Sequence, residues 1–122
     1  MKIAICDDNL MQREILEDLV REYLSDRELE ATVELFVNGD DLLKADEEND
    51  GYDAYILDII MPGTKGIAVG GELLKRPNRG KITYLTATVS FTEEASTQQN
   101  VTYLLKPVSA DKLFAFLDDA IK

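Results

Sequence analysis

Five short apolar runs, rich in β-branched residues, recur along the chain, and each is followed by a polar or amphipathic stretch. This alternation constrains the fold more than any other feature. The runs are Lys2–Cys6, Ala31–Val37, Tyr52–Leu57, Lys81–Leu85 and Val101–Leu105. Asn9–Ser25 carries Met11, Ile15, Leu16, Leu19, Val20, Tyr23 and Leu24 at the i, i+3, i+4 spacing of one helical face. Asn38 is placed to cap a second helix bearing Leu42, Leu43 and Ala45, which gives out in the polar Glu47–Gly51. Gly66–Arg76 reads as a third helix, ended by Pro77-Asn78-Arg79-Gly80. Thr92–Asn100, polar and short, is the poorest helix candidate. Ser109 caps a last helix whose Leu113, Phe116, Leu117, Ala120 and Ile121 face inward. Strands alternating with helices predict an α/β fold. It is a doubly wound (βα)₅ arrangement, with a parallel five-stranded sheet covered on both faces and right-handed crossovers.

A chain of 122 residues suits one such domain, spanning 1–122, and an apolar share of 45% is enough for its core despite a net charge of −11. No apolar run approaches a membrane span, and the first strand is too short for a signal-peptide core, so a cytoplasmic location is expected. Cys6 is the single cysteine and reads as a small core residue, with no internal disulfide to form. The sequence has no histidine. That excludes a Ser-His-Asp triad, a Cys-His pair and a His-ligated metal, and the chain cannot be its own phosphohistidine donor. A bound metal would be held by oxygen, which favours Mg²⁺ or a similar hard cation. The acid excess repels phosphate backbones, so direct nucleic-acid binding by this segment is not expected.

In a doubly wound sheet the site lies beyond the carboxyl ends of the strands. Here those ends carry Asp7-Asp8, Asp58, Thr86-Ala87 and Lys106-Pro107. Each alone has an ordinary reading: Asp7 or Asp8 as a helix cap, Lys106 as a solvated charge, Thr86 as a strand residue. Together they bring three carboxylates, an ammonium and a hydroxyl to one edge. Two carboxylates about 5 Å apart, at an effective dielectric near 20, repel by roughly 3 kcal/mol. Protons, Lys106 or a cation must offset that repulsion. A carboxylate beside Mg²⁺ is a competent nucleophile toward phosphorus, and an ammonium and a hydroxyl suit the phosphoryl oxygens.

The sequence resembles the receiver domains of two-component response regulators over nearly its whole length. The resemblance rests on Ile5-Cys6-Asp7-Asp8-Asn9, Asp58-Ile59-Ile60-Met61-Pro62-Gly63-Thr64-Lys65-Gly66, Leu85-Thr86-Ala87 and Tyr103-Leu104-Leu105-Lys106-Pro107. It implies a flavodoxin-like sheet of strand order 2-1-3-4-5. It implies Asp58 as phosphoacceptor, and Mg²⁺ held by Asp8, Asp58 and the main-chain carbonyl of Ile60, with Asp7 acting through water. Lys106 and Thr86 would contact the phosphoryl group, Thr86 and Tyr103 would form the switch pair, and the bond to Pro107 would be cis. The implied donor is a sensor histidine kinase. The implied output is transcriptional, through a further domain or a homodimer formed on phosphorylation. The wording around Asp7-Asp8 and Lys106-Pro107 is similar to receivers that precede LytTR-type DNA-binding domains. The abrupt end of the last helix at Lys122 fits a chain cut before such a domain.

Two departures and two rivals accompany this resemblance. Gly70-Gly71 inside the third helix costs roughly 1 kcal/mol per residue against Ala, which predicts a shortened or bent helix. Ile60, bulky and two residues past Asp58, is expected to hinder attacking water and slow loss of the phosphoryl group. One rival is an Mg²⁺-dependent phosphatase or phosphotransferase of the haloacid dehalogenase kind. It needs a second Asp where Ile60 stands, and a cap for which 122 residues leave no room. The other is a non-phosphorylated receiver-like module, which would lack an acidic residue or the lysine. The expected function is therefore a signalling domain that catalyses only its own phosphorylation and dephosphorylation.

Overall fold

The computed structural model describes residues 1–60, 65–77, 79–87 and 101–121. Among them the strands are β1 (Lys2–Cys6), β2 (Thr32–Phe36), β3 (Ala54–Asp58), β4 (Lys81–Thr86) and β5 (Val101–Leu105). The helices are α1 (Leu10–Asp26), α2 (Gly39–Glu48), α3 (Gly66–Leu74) and α4 (Ala110–Ile121). The stretch 92–100, the poorest helix candidate of the sequence, lies outside the described residues. All pairings are parallel, in the order β2-β1-β3-β4-β5. The strand order and fold class expected from the sequence are those observed.

Side chains alternate across a strand, so each central strand feeds both faces of the sheet. Ile3, Ile5, Ala54 and Ile56 pack with Leu16 and Val20 of α1 and Leu113 and Leu117 of α4. Ala4, Cys6, Tyr55 and Leu57 pack on the other face with Leu42 of α2 and Val69 and Leu73 of α3. All five residues of β3 are buried, the property of an inner strand in a sheet covered on both sides. On the first of these faces α1 and α4 are tied through Tyr23, whose hydroxyl donates to Asp118 at 2.8 Å, while Arg27 stacks 4.1 Å from the Tyr23 ring.

The helix faces differ from the sequence pattern in two places. Met11 and Ile15 lie at the exposed margin of α1, and burial begins at Leu16. The apolar stripe is wider than the surface the sheet covers. Helix α3 stops at Leu74, two residues short of the expected Arg76, and two of its three glycines, Gly66 and Gly70, have a packing reason. A Cβ on Gly70 would overlap the hydroxyl of Tyr84, which is fully buried on β4, and a Cβ on Gly66 would overlap the carbonyl of Asp58. Close approach of α3 to the sheet thus outweighs the helix-propensity cost. The expected caps at Asn38 and Ser109 are present, with side-chain oxygens accepting from the amides of Asp41 (2.8 Å) and Lys112 (3.2 Å).

Candidate functional site

Strand register brings the reactive residues level. Cys6 pairs with Leu57, so Asp7 comes beside Asp58. Leu85 pairs with Asp58, and Thr86 pairs with Leu105, the residue before Lys106. Carboxylate oxygens of Asp7, Asp8 and Asp58 lie within 4.8 Å of one another. The Lys106 ammonium sits 3.2 Å from Asp58 Oδ2 and 3.8 Å from Asp7 Oδ2. Asp7 is wholly buried, Asp58 is 6% exposed and Asp8 faces solvent.

The loop after β1 shows how Asp7 is held. Its amide donates to the Phe36 carbonyl at 3.1 Å, and its Oδ1 accepts from the Asn9 amide at 2.9 Å. Its own carbonyl accepts from the Arg13 guanidinium at 2.9 Å. Oδ2 alone has no hydrogen-bond partner, although it is buried. The cap of α1 is Asn9, whose side chain accepts from the Gln12 amide at 3.0 Å. Neither Asp7 nor Asp8 fills the capping role open to them in the sequence, and both carboxylates are left for the site.

Burial pushes the Asp58 carboxyl above its ordinary value. The negative charge of Asp7 adds to this, and Lys106 opposes it. The same field reaches Cys6, whose thiol is pushed up to about 12, first by burial and then by Asp7, Asp58 and Asp8. The core reading of Cys6 fits these surroundings: burial and the three carboxylates disfavour the thiolate and outweigh the opposing charge of Arg13.

The remaining residues singled out in the sequence sit around this cluster. The Ile60 amide donates to Asp58 Oδ1 at 3.3 Å, and its side chain is 57% exposed. Thr86 is buried at the end of β4, and its carbonyl accepts from the Lys106 amide at 2.8 Å. Tyr103 on β5 is 46% exposed. The Lys106–Pro107 peptide is cis.

The donor set tests well for a hard divalent cation. It is made of oxygen alone, it gathers three carboxylates against one ammonium, and it aims an unpartnered buried carboxylate oxygen inward. The family model of the response regulator receiver domain matches residues 3–118. The chain belongs to that family.

Two relatives share 33% identity with this receiver. One is an uncharacterized response regulatory protein of Vibrio cholerae, covering 90% of this chain and 41% of that protein. The other is the positive alginate biosynthesis regulatory protein of Pseudomonas aeruginosa, covering 98% of this chain and 47% of that protein. The receiver therefore spans less than half the length of either. The receiver domain of a Pseudomonas aeruginosa sensor histidine kinase, solved with a magnesium ion coordinated in its active-site cleft, has a TM-score of 0.83 at 24% identity. The match covers 98% of this chain and 96% of that one. At that identity the likeness speaks for the fold. Receivers are signalling modules of two-component systems. No described helix of this one is long and apolar enough to cross a membrane.

Sequence reasoning passed over Arg13, and over Asn9 as the cap of α1. Arg13 stands three residues before Leu16 and seven before Val20, on the inward face of α1. A charge on a buried stripe was the signal available.

Proposed function

We propose that residues 1–122 form one receiver domain that takes a phosphoryl group on Asp58 from a sensor histidine kinase and changes conformation in response. The observation that carries this reading is Lys106 Nζ reaching Asp58 and Asp7 together, across a set of three carboxylates. Asp8, Asp58 and the main-chain carbonyl of Ile60 would hold Mg²⁺ directly, and Asp7 through water. The magnesium-bearing receiver of the kinase from Pseudomonas aeruginosa supports the same ion here. When bound, the cation neutralises charge on the carboxylates and on the phosphoryl oxygens.

The chain's own residues carry the transfer. An Asp58 carboxylate oxygen forms the bond to phosphorus as the bond to the donor's imidazole nitrogen breaks, and the imidazole leaves with the electron pair. The Ile60 amide already donates to Asp58 Oδ1 and steadies the carboxylate. The Lys106 ammonium, 3.2 Å from Oδ2, is placed to meet the charge that arrives with the phosphoryl group. Phosphorylation adds about −1.5 to −2 charges and strong acceptor oxygens. The Thr86 hydroxyl moves to donate to one of them, and Tyr103, half exposed here, turns inward to fill the space left. The domain catalyses only this transfer and the hydrolysis of its acyl phosphate, in which water attacks phosphorus, the Asp58 carboxylate leaves and inorganic phosphate is released.

The setting is a cytoplasmic regulator, longer than this chain, whose output is transcriptional. The alginate regulator supports that reading. A LytTR-type DNA-binding domain and a phosphorylation-dependent homodimer are the forms of output proposed. The test is incubation with Mg²⁺ and acetyl phosphate, read by intact mass. One phosphoryl group per chain is expected, and Asp58→Asn abolishes it. An unlabelled wild type, or label retained in Asp58→Asn, overturns the reading.

A further inference from the structure

We propose that Arg13 is a positioning residue of the acid site, which sets the affinity for the divalent cation by holding the Asp7 main chain. The proposal rests on the Mg²⁺ reading above and adds a residue to it. It starts from an oddity of charge. The chain has 24 acidic residues against 13 basic ones, so carboxylate partners are plentiful. Among the described residues, Arg21, Arg27 and Arg76 each pair with one. Arg13 and Arg79 pair with none; Arg79 turns to the carbonyl of its neighbour Gly80 at 3.3 Å, whereas Arg13 spends its guanidinium on a site residue six positions back, the carbonyl of Asp7, at 2.9 Å.

The location explains the choice. Arg13 lies in the first turn and a half of α1, its amide bonded to the Asn9 carbonyl at 3.0 Å, on the stripe that continues into Leu16 and Val20. From there the side chain reaches back over the β1–α1 loop. With the Phe36 carbonyl on the Asp7 amide and the Asn9 amide on Oδ1, it ties down the last polar atom of Asp7 other than Oδ2. Oδ2 is the buried oxygen directed at Lys106. Its aim, and the placement of Asp8 next in the chain, follow from a peptide plane that Arg13 fixes. The guanidinium also sets a positive charge near the carboxylates, felt at Cys6.

Charge and position predict opposite signs, and this makes the idea testable. If Arg13 acted only as a charge, its loss would tighten cation binding, because a cation nearby repels Mg²⁺. If it acts by position, its loss weakens binding. Outer-sphere partners of metal ligands typically contribute about 10- to 100-fold in affinity. For Arg13→Gln the expected Mg²⁺ dissociation constant by calorimetry is about tenfold weaker, the lower end of that range. Arg13→Lys, which keeps charge and a donor but not the planar fork, is expected about threefold weaker. Circular dichroism first establishes that each variant is folded, since a change in global stability alone leaves the affinity of folded protein unmoved. Unchanged or tighter binding by Arg13→Gln overturns the proposal. Should that variant fail to fold, Arg13→Lys decides: unchanged binding by it overturns the proposal. Wild type that binds no Mg²⁺ fails the underlying function, whereas wild type that binds, alongside an equally tight Arg13→Gln, fails only the role of Arg13.

Discussion

The two ends of the sheet each bury an aspartate and treat it in opposite ways. At the amino end, Asp46 of α2 is 2% exposed and fully answered: Arg76 donates to Oδ2 at 2.7 Å, and the Tyr55 hydroxyl donates to Oδ1. Arg76 also holds the Leu43 carbonyl at 3.0 Å, and Tyr52 beside it donates to Glu34 at 2.8 Å. At the carboxyl end, Asp7 and Asp58 face each other with Lys106 the one ammonium, among the described residues, that reaches both, and Asp7 Oδ2 has no hydrogen bond. Burial of a carboxylate is common to both. What distinguishes the second is uncompensated charge. A cavity of about 290 Å³ opens beside Asp46 and Arg76, away from the acid cluster. A small cation and a phosphoryl group need converging oxygens and an ammonium more than a deep pocket.

If this contrast is right, neutralising the aspartates must move stability in opposite directions. Asp46→Ala strands a buried tyrosine hydroxyl and a part-buried guanidinium, and is expected to cost about 2–3 kcal/mol in urea unfolding. A neutral result would erase the difference between the two ends. Asp58→Asn without divalent cation is expected to gain about 1–2 kcal/mol, by removing one of two facing charges. Its pH dependence carries a definite sign. Burial and Asp7 raise the folded-state value of Asp58 above the ordinary 3.8, so the folded protein binds this proton more tightly than the unfolded chain. The contribution is full below the ordinary value and is lost as pH rises through the raised one. Wild type should therefore fall behind Asp58→Asn across that window in cation-free buffer, and Mg²⁺ should close the gap. A gap that stays constant with pH would sink the electrostatic explanation.

Thr83 sharpens the contrast further. Its hydroxyl is also buried without a hydrogen bond, yet it is neutral and lies within the sheet interior. Thr83→Val is expected to stabilise by about 1 kcal/mol and to leave Mg²⁺ binding and phosphorylation untouched. Any loss of phosphorylation would mean that orphaned polar atoms, not charge imbalance, define the functional end. The smallest expected effect is kinetic. Ile60→Ala opens the approach to Asp58 and should shorten the acyl-phosphate half-life severalfold, followed by loss of label after the donor is removed. A half-life unchanged or longer would leave Ile60 without a shielding role.

Much of this was legible in the primary structure. Strands β1 and β5 were bounded to the residue and β3 and β4 to within two, and for the inner strands β1, β3 and β4 the reason is that inner strands of a covered sheet are short unbroken apolar runs. The acid pair, Asp58, Thr86 and Lys106 stood out because each follows such a run. The end of α3 and the exposure of Met11 and Ile15 were not legible, since periodicity records which residues are apolar but not how much surface the neighbours cover. Nor was Gly70, which looks like a defect in a helix until the Tyr84 hydroxyl is seen beneath it.

The order of apolar runs and the chemical groups at their ends were set by the sequence alone, because local periodicity and residue type need no knowledge of neighbours in space. Which aspartate is satisfied and which is not was decided only in the folded molecule. Asp46 finds Arg76 thirty residues away, while Asp7 meets Asp58 and Lys106 through strand register. Charge balance at a buried group depends on distances of a few ångströms between residues remote in the chain, and those distances exist only once the sheet has formed.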